Sequence, residues 1–181
     1  MAGLIGTSGG KTLRVMEFRA SGTFTVPSGV KTVELFLVGG GGGTASNTYA
    51  AGQGGNVVKT KYDVNGKASC AVVIGAGGAA GGSDGGNTSF DGVAIAYGGS
   101  GNGIRATDSS GSFGPETGSS TGVVVGVDGF GGNGVTVSYP YAAHPANGAK
   151  SLSAGPANTG AGASGGNRAG GSGYARVEWY E

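Results

Sequence analysis

Cysteine and histidine are almost absent from this sequence of 181 residues, which contains one of each, Cys70 and His144. A lone cysteine cannot form an internal disulfide, and within the apolar run "SCAVVIG" we expect it to be a small core residue. A single histidine offers no histidine cluster for a metal ion and no spacing that supports a Ser-His-Asp arrangement. We therefore expect no metal site, and stability must come from packing and hydrogen bonds.

Charged residues and long apolar runs are also scarce. Only 12% of the residues are charged, the formal net charge is +1, and Arg105 is the only Lys or Arg between Ala68 and Ala149. A nucleic-acid partner is not expected, because the basic stripe that binds phosphates is missing. No stretch approaches the roughly 20 apolar residues of a membrane span, and "MAGLIGTSGG" lacks the pattern of a secretory signal. We expect synthesis in a cytoplasm and no membrane insertion.

Several segments have the composition of β-strands, since they are rich in β-branched and aromatic residues. They are "LRVMEF" (13–18), "GTFTV" (22–26), "KTVELFLV" (31–38), "NVVKTKYDV" (56–64), "ASCAVVIG" (68–75) and "GYARVEWYE" (173–181). The turn "NGK" between the fourth and fifth predicts a hairpin. In the last segment Ala175, Val177 and Trp179 share one face. We expect this strand to pair with the early ones and to close a β-sandwich-like base.

Glycine dominates the rest of the chain: 45 of the 181 residues are glycine, whereas the ordinary usage is about 7%. The segments 75–87, 97–103, 129–134 and 160–173 are either flexible linkers or an ordered lattice. Spacings of three, as at Gly75, Gly78 and Gly81, favour left-handed extended helices with three residues per turn that bond to their neighbours. With only 5 prolines and no strict Gly-X-Y period, the chain is not a collagen. The predicted fold is all-β: a small β-sandwich-like base with a bundle of polyglycine-II helices and essentially no α-helix.

Two glycine motifs resemble nucleotide-binding loops. The segment "GGGGTA" (40–45) fits a loose G-x-G-x-x-A pattern, and Asp63 follows about twenty residues later. That fingerprint must open a helix, but the following residues include Gly52, Gly54 and Gly55 and have no apolar stripe. The segment "GTSGGKT" (6–12) lacks the first glycine of a phosphate-binding loop and leads into a strand. We therefore expect no cofactor.

The combination of "GTFTVPSGVKTVELFLVGGGGG", glycine-rich blocks and a closing "GGSGYARVEWYE" resembles the glycine-rich domain at the ends of bacteriophage tail fibres and adhesins. The resemblance extends from about Ser21 to the C-terminus. It implies that residues 1–20 are an N-terminal attachment segment with the first strand, and that 21–181 form one receptor-binding domain. With some twenty residues before it and no long shaft, the chain would be a separately encoded tip or a small virion fibre.

The resemblance also implies partners. Loops between the glycine helices would contact a host bacterial outer-membrane protein or a surface glycan, and the base would contact other virion fibre proteins. Because phage fibres are commonly trimeric, we expect a homotrimer. Aromatic side chains on rigid loops provide contact area at little entropic cost. The candidate receptor-binding residues are Asn47, Tyr49, Arg105, Phe113, Phe130, Tyr139, Tyr141 and His144. The alternative for each aromatic residue is that it covers the end of the glycine bundle.

Other functions remain open. The carboxylates considered for glycan cleavage are Asp84, Asp91, Asp108, Glu116 and Asp128, but nothing in the sequence places two of them face to face. We therefore expect no enzymatic activity. A second hypothesis is a structural virion decoration or head fibre without receptor specificity. A third is an ice-binding protein, which the long, irregular loops disfavour.

Overall fold

The computed structural model describes residues 2–8, 10–45, 50–101, 104–105, 154–163 and 167–181, of which 2–8, 50–51 and 104–105 are described by their backbone alone. This part of the chain contains strands and no helix. The strands are β1 (Ala2–Ser8), β2 (Lys11–Phe18), β3 (Gly22–Thr25), β4 (Thr32–Val38), β5 (Ala50–Ala51), β6 (Val57–Asp63), β7 (Ser69–Val73), β8 (Thr88–Phe90), β9 (Ala94–Ala96), β10 (Ile104–Arg105) and β11 (Tyr174–Tyr180).

Two antiparallel sheets form the predicted β base. Sheet A has the order β1-β2-β11-β4-β6, and sheet B has the order β3-β7-β8-β9. The apolar core lies between them, where the ring of Phe24 contacts Trp179 at 5.3 Å and Phe90 at 5.9 Å between centroids. Cys70 is buried in this core, as predicted, and burial raises the pKa of its thiol. The all-β prediction with a sandwich-like base is confirmed for the described residues.

The C-terminal strand occupies the middle of sheet A. β11 pairs with β2 on one side and with β4 on the other. Its alternation places Ala175, Val177 and Trp179 in the core, with at most 6% of each side chain exposed. Both the face and the pairing with early strands were predicted. Since β11 has neighbours on both edges, sheet A is complete only when the last residues of the chain are in place.

The predicted hairpin between residues 56–64 and 68–75 is wrong. β6 pairs only with β4 among the described strands, and β7 pairs with β3 and β8 in the other sheet. The turn at Asn65 and Gly66 therefore connects two sheets. The physical reason is Val64, which is fully buried between the sheets and donates its N–H to the carbonyl oxygen of Lys31 at 2.8 Å.

Above the base, residues 39–44 form the centre of a block of glycine-rich segments. Their backbone N–H groups donate in turn to three different segments, and the cycle then repeats, with distances of 2.8 to 2.9 Å. The acceptors in order are Asn56, Gly86, Gly171, Gln53, Ser83 and Arg168. The central carbonyl groups accept from three further segments, whose donors are Gly99, Gly78 and Ala163. We call residues 39–44 the central segment.

Six outer segments surround the central segment in the described part of the chain. Their backbones also bond to one another in a closed order: 52–56, 97–101, 83–87, 75–79, 168–173, 160–163 and back to 52–56. The linking bonds are Gln53 to Ser100, Gly85 to Gly99, Gly86 to Ala76, Gly170 to Gly78, Gly171 to Ala161 and Gly52 to Ala163. Each segment therefore contacts the centre and two neighbours, as chains do in hexagonal packing. We call this assembly the glycine block.

The packing of the glycine block explains why five glycines follow β4. A Cβ atom added at Gly41 would overlap the backbone carbonyl of Ala161, and one at Gly43 would overlap that of Ala79. A Cβ atom at any of the five glycines, Gly39 to Gly43, would meet the backbone of another segment, so none of these five positions has room for a side chain. The three-residue period of the donors is the period required by the predicted polyglycine-II helices; the helical assignment itself stays a prediction.

A polar cluster ties sheet A to sheet B at the base. Asp91 lies in the turn between β8 and β9, and its Oδ2 accepts from Lys67 Nζ at 2.7 Å and from Tyr62 Oη at 2.9 Å. These two donors hold the pKa of the Asp91 carboxyl below its usual value, the Lys67 hydrogen bond having the larger effect. The pKa of the Lys67 ammonium is raised by the same bond.

A Gly41→Ala substitution tests the central packing. We expect it to lower the free energy of unfolding by about 3 kcal/mol or more, because a backbone carbonyl cannot rotate away from the added methyl as a side chain does. The control is Gly22→Ala, whose methyl group would meet only the Phe18 ring at 3.5 Å. Urea unfolding of both variants measures the difference. Equal midpoints for Gly41→Ala and the wild type would contradict the packing described.

An Asp91→Asn substitution tests the polar cluster. Asparagine tolerates the positive φ of 55° at this position, so the change removes charge with little backbone strain. Because the folded-state pKa is depressed, the carboxylate stabilises the fold above about pH 4 and loses this effect as the pH falls through the folded-state pKa. We expect the variant to be less stable than the wild type at neutral pH and equally stable in strong acid.

Urea unfolding at a series of pH values measures this effect. Tyr62→Phe removes one of the two donors and should give an intermediate dependence. Parallel stability curves for Asp91→Asn and the wild type across the acidic range would show that the cluster does not contribute.

Candidate functional site: the distal end of the glycine block

The directions of the glycine segments define one end of the molecule. Segments 39–44, 75–79 and 97–101 follow β4, β7 and β9, so they run away from the base. Segments 52–56, 83–87 and 168–173 lead into β6, β8 and β11, so they return to it. Segment 160–163 also runs away, since Gly160 lies beside Gly39 and Ala163 bonds to Gly42. We call the end remote from the base the distal end.

All eight candidate receptor-binding residues belong to two connections that begin and end at the distal end: a short connection, residues 45–51, and a long connection, residues 102–154. Asn47 and Tyr49 lie between Ala45 and β5, outside the described residues. Arg105 lies in β10. The remaining candidates follow it before residue 154 and are also outside the described residues: Phe113, Phe130, Tyr139, Tyr141 and His144. The loops "ASNTYAAGQ", "SGNGIRATDSSGSFGPETG" and "SYPYAAHPANG" are therefore described only in part.

One backbone contact joins these two connections. β10 pairs with β5 in an antiparallel arrangement, so Arg105 lies opposite Ala50 and Ile104 opposite Ala51. In the sequence, Tyr49 directly precedes Ala50, the first residue of β5. The first residues of the long connection and the last residues of the short one thus lie side by side at the distal end.

Both ends of the long connection are attached to the block by specific hydrogen bonds. At its start, Asp84 Oδ1 accepts from the N–H of Gly101 at 2.7 Å and from Ser100 Oγ at 3.2 Å. At its return, the N–H of Gly155 donates to the carbonyl oxygen of Ala169 at 2.9 Å. In the closed order of outer segments, 97–101 and 168–173 stand opposite each other. The connection therefore leaves and re-enters on opposite sides of the block.

The structure adds one cation to the distal end that the sequence analysis did not single out. Arg168 is exposed. Its backbone carbonyl accepts at 2.8 Å from the N–H of Thr44, which is the last residue of the central segment. The buried Thr44 Oγ1 accepts from the N–H of Arg168 at 3.1 Å. The sequence feature that could have identified Arg168 is a charged residue inside the glycine-rich run "GGNRAGG". Next to it, Asn167 has a φ of 55°, as a tight turn requires.

A groove on the outer face of sheet A is a second feature, far from the distal end. The Phe36 ring lies between Lys59 and Arg176, whose charged groups are 5.4 and 5.3 Å from its centroid. Arg176 Nε is 2.8 Å from Glu178 Oε1, and Lys61 Nζ is 3.6 Å from Glu34 Oε1. The two carboxylates of this groove therefore pair with Arg176 and Lys61, and its third cation, Lys59, lies over the Phe36 ring.

The carboxylates considered for catalysis have other contacts where they are described. Asp84 binds the start of the long connection and Asp91 binds Lys67 and Tyr62, so these two acids lie in different layers. Asp108, Glu116 and Asp128 are outside the described residues. Among the described side chains, no group of three His, Cys, Asp or Glu is arranged to hold a metal ion. The described residues also include no helix long and apolar enough to cross a membrane.

Comparison with known proteins is consistent with this architecture. The family model described as "Glycine-rich domain" matches residues 19–179, which is nearly the whole chain and includes the glycine block and every strand of the base except β1 and β2. No curated protein sequence matches the chain. Because the family model covers far more than half of the residues, this chain belongs to the glycine-rich domain family.

Proposed function

We propose that this protein is the fibre-tip adhesin of a bacteriophage virion, and that it binds a host bacterial surface receptor without covalent chemistry. The receptor is an outer-membrane protein or a surface glycan. The observation that supports the proposal is the convergence of the connections at one end of a block held by backbone hydrogen bonds. The sequence resemblance to phage fibre domains supplies the biological setting, with other fibre proteins as partners and three chains in the assembly.

The physical basis of the proposal is pre-organisation. Ordering a flexible loop on binding costs conformational entropy, and attaching its ends to a rigid support reduces that cost. Here Asp84 holds the start of the long connection, and β10 holds it against β5. The candidate aromatics Phe113, Tyr139 and Tyr141 belong to this connection. Its side chains would supply the receptor contacts, and the block would supply their support.

The alternative function is a virion decoration or head fibre in which the block is only a stable plug. It predicts the same fold and no selective binding to cells. The two functions therefore differ in a direct measurement on the purified protein.

Binding to bacteria tests the proposal. We expect fluorescently labelled protein to bind some strains of a candidate host panel and not others. A variant with Tyr139, Tyr141 and His144 changed to Ala should bind at least about tenfold more weakly, since one aromatic hot spot is worth about 2 kcal/mol. Circular dichroism must show that the variant is folded. Absence of binding to every strain, including the native host, would favour the decoration protein.

The exposed cation at the distal end supplies a separate test. We expect Arg168→Ala to weaken binding several-fold, about 1 kcal/mol, because the side chain lies beside the proposed contact surface while its backbone bonds to Thr44 remain. The control is Lys61→Ala, which removes an exposed cation from the base. An equal effect of both variants on cell binding would mean that general charge, and not the distal end, attracts the protein to the cell surface.

A further inference from the structure

The two outer faces of the β base differ in chemistry. The outer face of sheet A carries the ion pairs Arg176–Glu178 and Lys61–Glu34. The alternate residues of sheet B that point away from the core are all uncharged. They are Thr23 and Thr25 on β3, Ser69, Ala71 and Val73 on β7, Ser89 on β8 and Ile95 on β9. We call this set the uncharged face.

Exposed apolar side chains gather on and beside the uncharged face. Four large apolar residues are exposed in the described part of the chain: Val73, Val93, Tyr97 and Tyr180. Val73 is 48% exposed at the end of β7, and its pairing register continues through Ser89 to Ile95. Val93 and Tyr97 lie two residues before and after Ile95 and are 70% and 44% exposed. One exposed valine needs no explanation, whereas several exposed apolar side chains in and next to one sheet are typical of a contact surface.

Charge depletion distinguishes the centre of protein interfaces from the remaining surface. The solvated face of an antiparallel sheet ordinarily carries polar and charged residues, as the outer face of sheet A does. An occupant rich in charge would find no ion partner on the uncharged face. A glycan would leave most of its hydroxyl groups without a charged or amide partner there. The face fits a protein surface that is itself uncharged.

We propose that the uncharged face of sheet B packs against the same face of further copies of this chain. In a symmetric homo-oligomer the same surface of every copy lies near the axis, so a charge-free face meets a charge-free face. A formal net charge of +1 adds little repulsion between copies. This inference rests on the proposed fibre-tip function, which includes an assembly of several chains. It locates the contact between chains in the base, so the distal end of each copy stays free.

The experiment measures mass in solution. We expect the intact protein to sediment as a homo-oligomer and Val73→Lys to sediment as one chain of 17.1 kDa. β7 has a neighbouring strand on each side, so an exposed lysine at this position should leave the fold intact. Ser69→Lys, on the same strand and face, is a second variant in case the first does not fold. The matched control is Thr32→Lys, at an exposed position of sheet A, which should leave the oligomer unchanged.

Two results would overturn the proposal. One is a single chain for the intact protein at every concentration, and the other is an oligomer that persists in a folded Val73→Lys variant. Cell binding separates this inference from the proposed function. A single-chain variant that still selects bacterial strains leaves the adhesin function standing, whereas an intact oligomer that binds no strain removes that function and leaves the contact surface standing.

Discussion

The rest of the structure depends on the lateral hydrogen bonds of the central segment. Residues 39–44 are buried, and a buried N–H without a partner costs about 1 to 3 kcal/mol. These residues are in neither an α-helix nor a β-sheet, so their partners must come from other parts of the chain. They come from six separate segments that span residues 52 to 173. Removing any one of them would leave central groups unpaired, which makes the block cooperative although the bonds to its centre are made by backbone groups.

The β base is what brings those segments together. A flexible glycine chain loses more conformational entropy on ordering than any other, so an isolated bundle would be costly to form. In this protein β4, β7 and β9 lead directly into segments that run outward, and β6, β8 and β11 receive segments that return. Apolar burial between sheets A and B thus fixes where six of the seven segments meet the base. The seventh, 160–163, follows a turn beside Ser172 and Gly39.

The sequence predicted local features better than partners. The face of β11 followed from residue alternation, and the burial of Cys70 followed from the apolar run that contains it; both signals depend on neighbours in the chain. The pairing of β6 and β7 did not, because an Asn-Gly turn is compatible with a hairpin or with a corner between sheets, and the burial of Val64 decides between them. Arg168 was missed because its position depends on the long-range bond to Thr44. Of the eight candidate receptor-binding residues, Arg105 alone is described, and by its backbone only, so all eight stay predictions.

The chemistry of the block bears on how such a domain can vary the connections at its distal end. Its contacts are made by backbone groups, and its steric requirement is the absence of Cβ atoms at inward positions such as Gly41 and Gly43. Neither requirement involves the side chains of the distal connections. In a base held by apolar packing, nearly every strand residue is restricted in its side chain. The block restricts only the residues of its own segments. Connections of any length and composition are then compatible with one support, provided that their ends are anchored as Asp84 anchors Gly101.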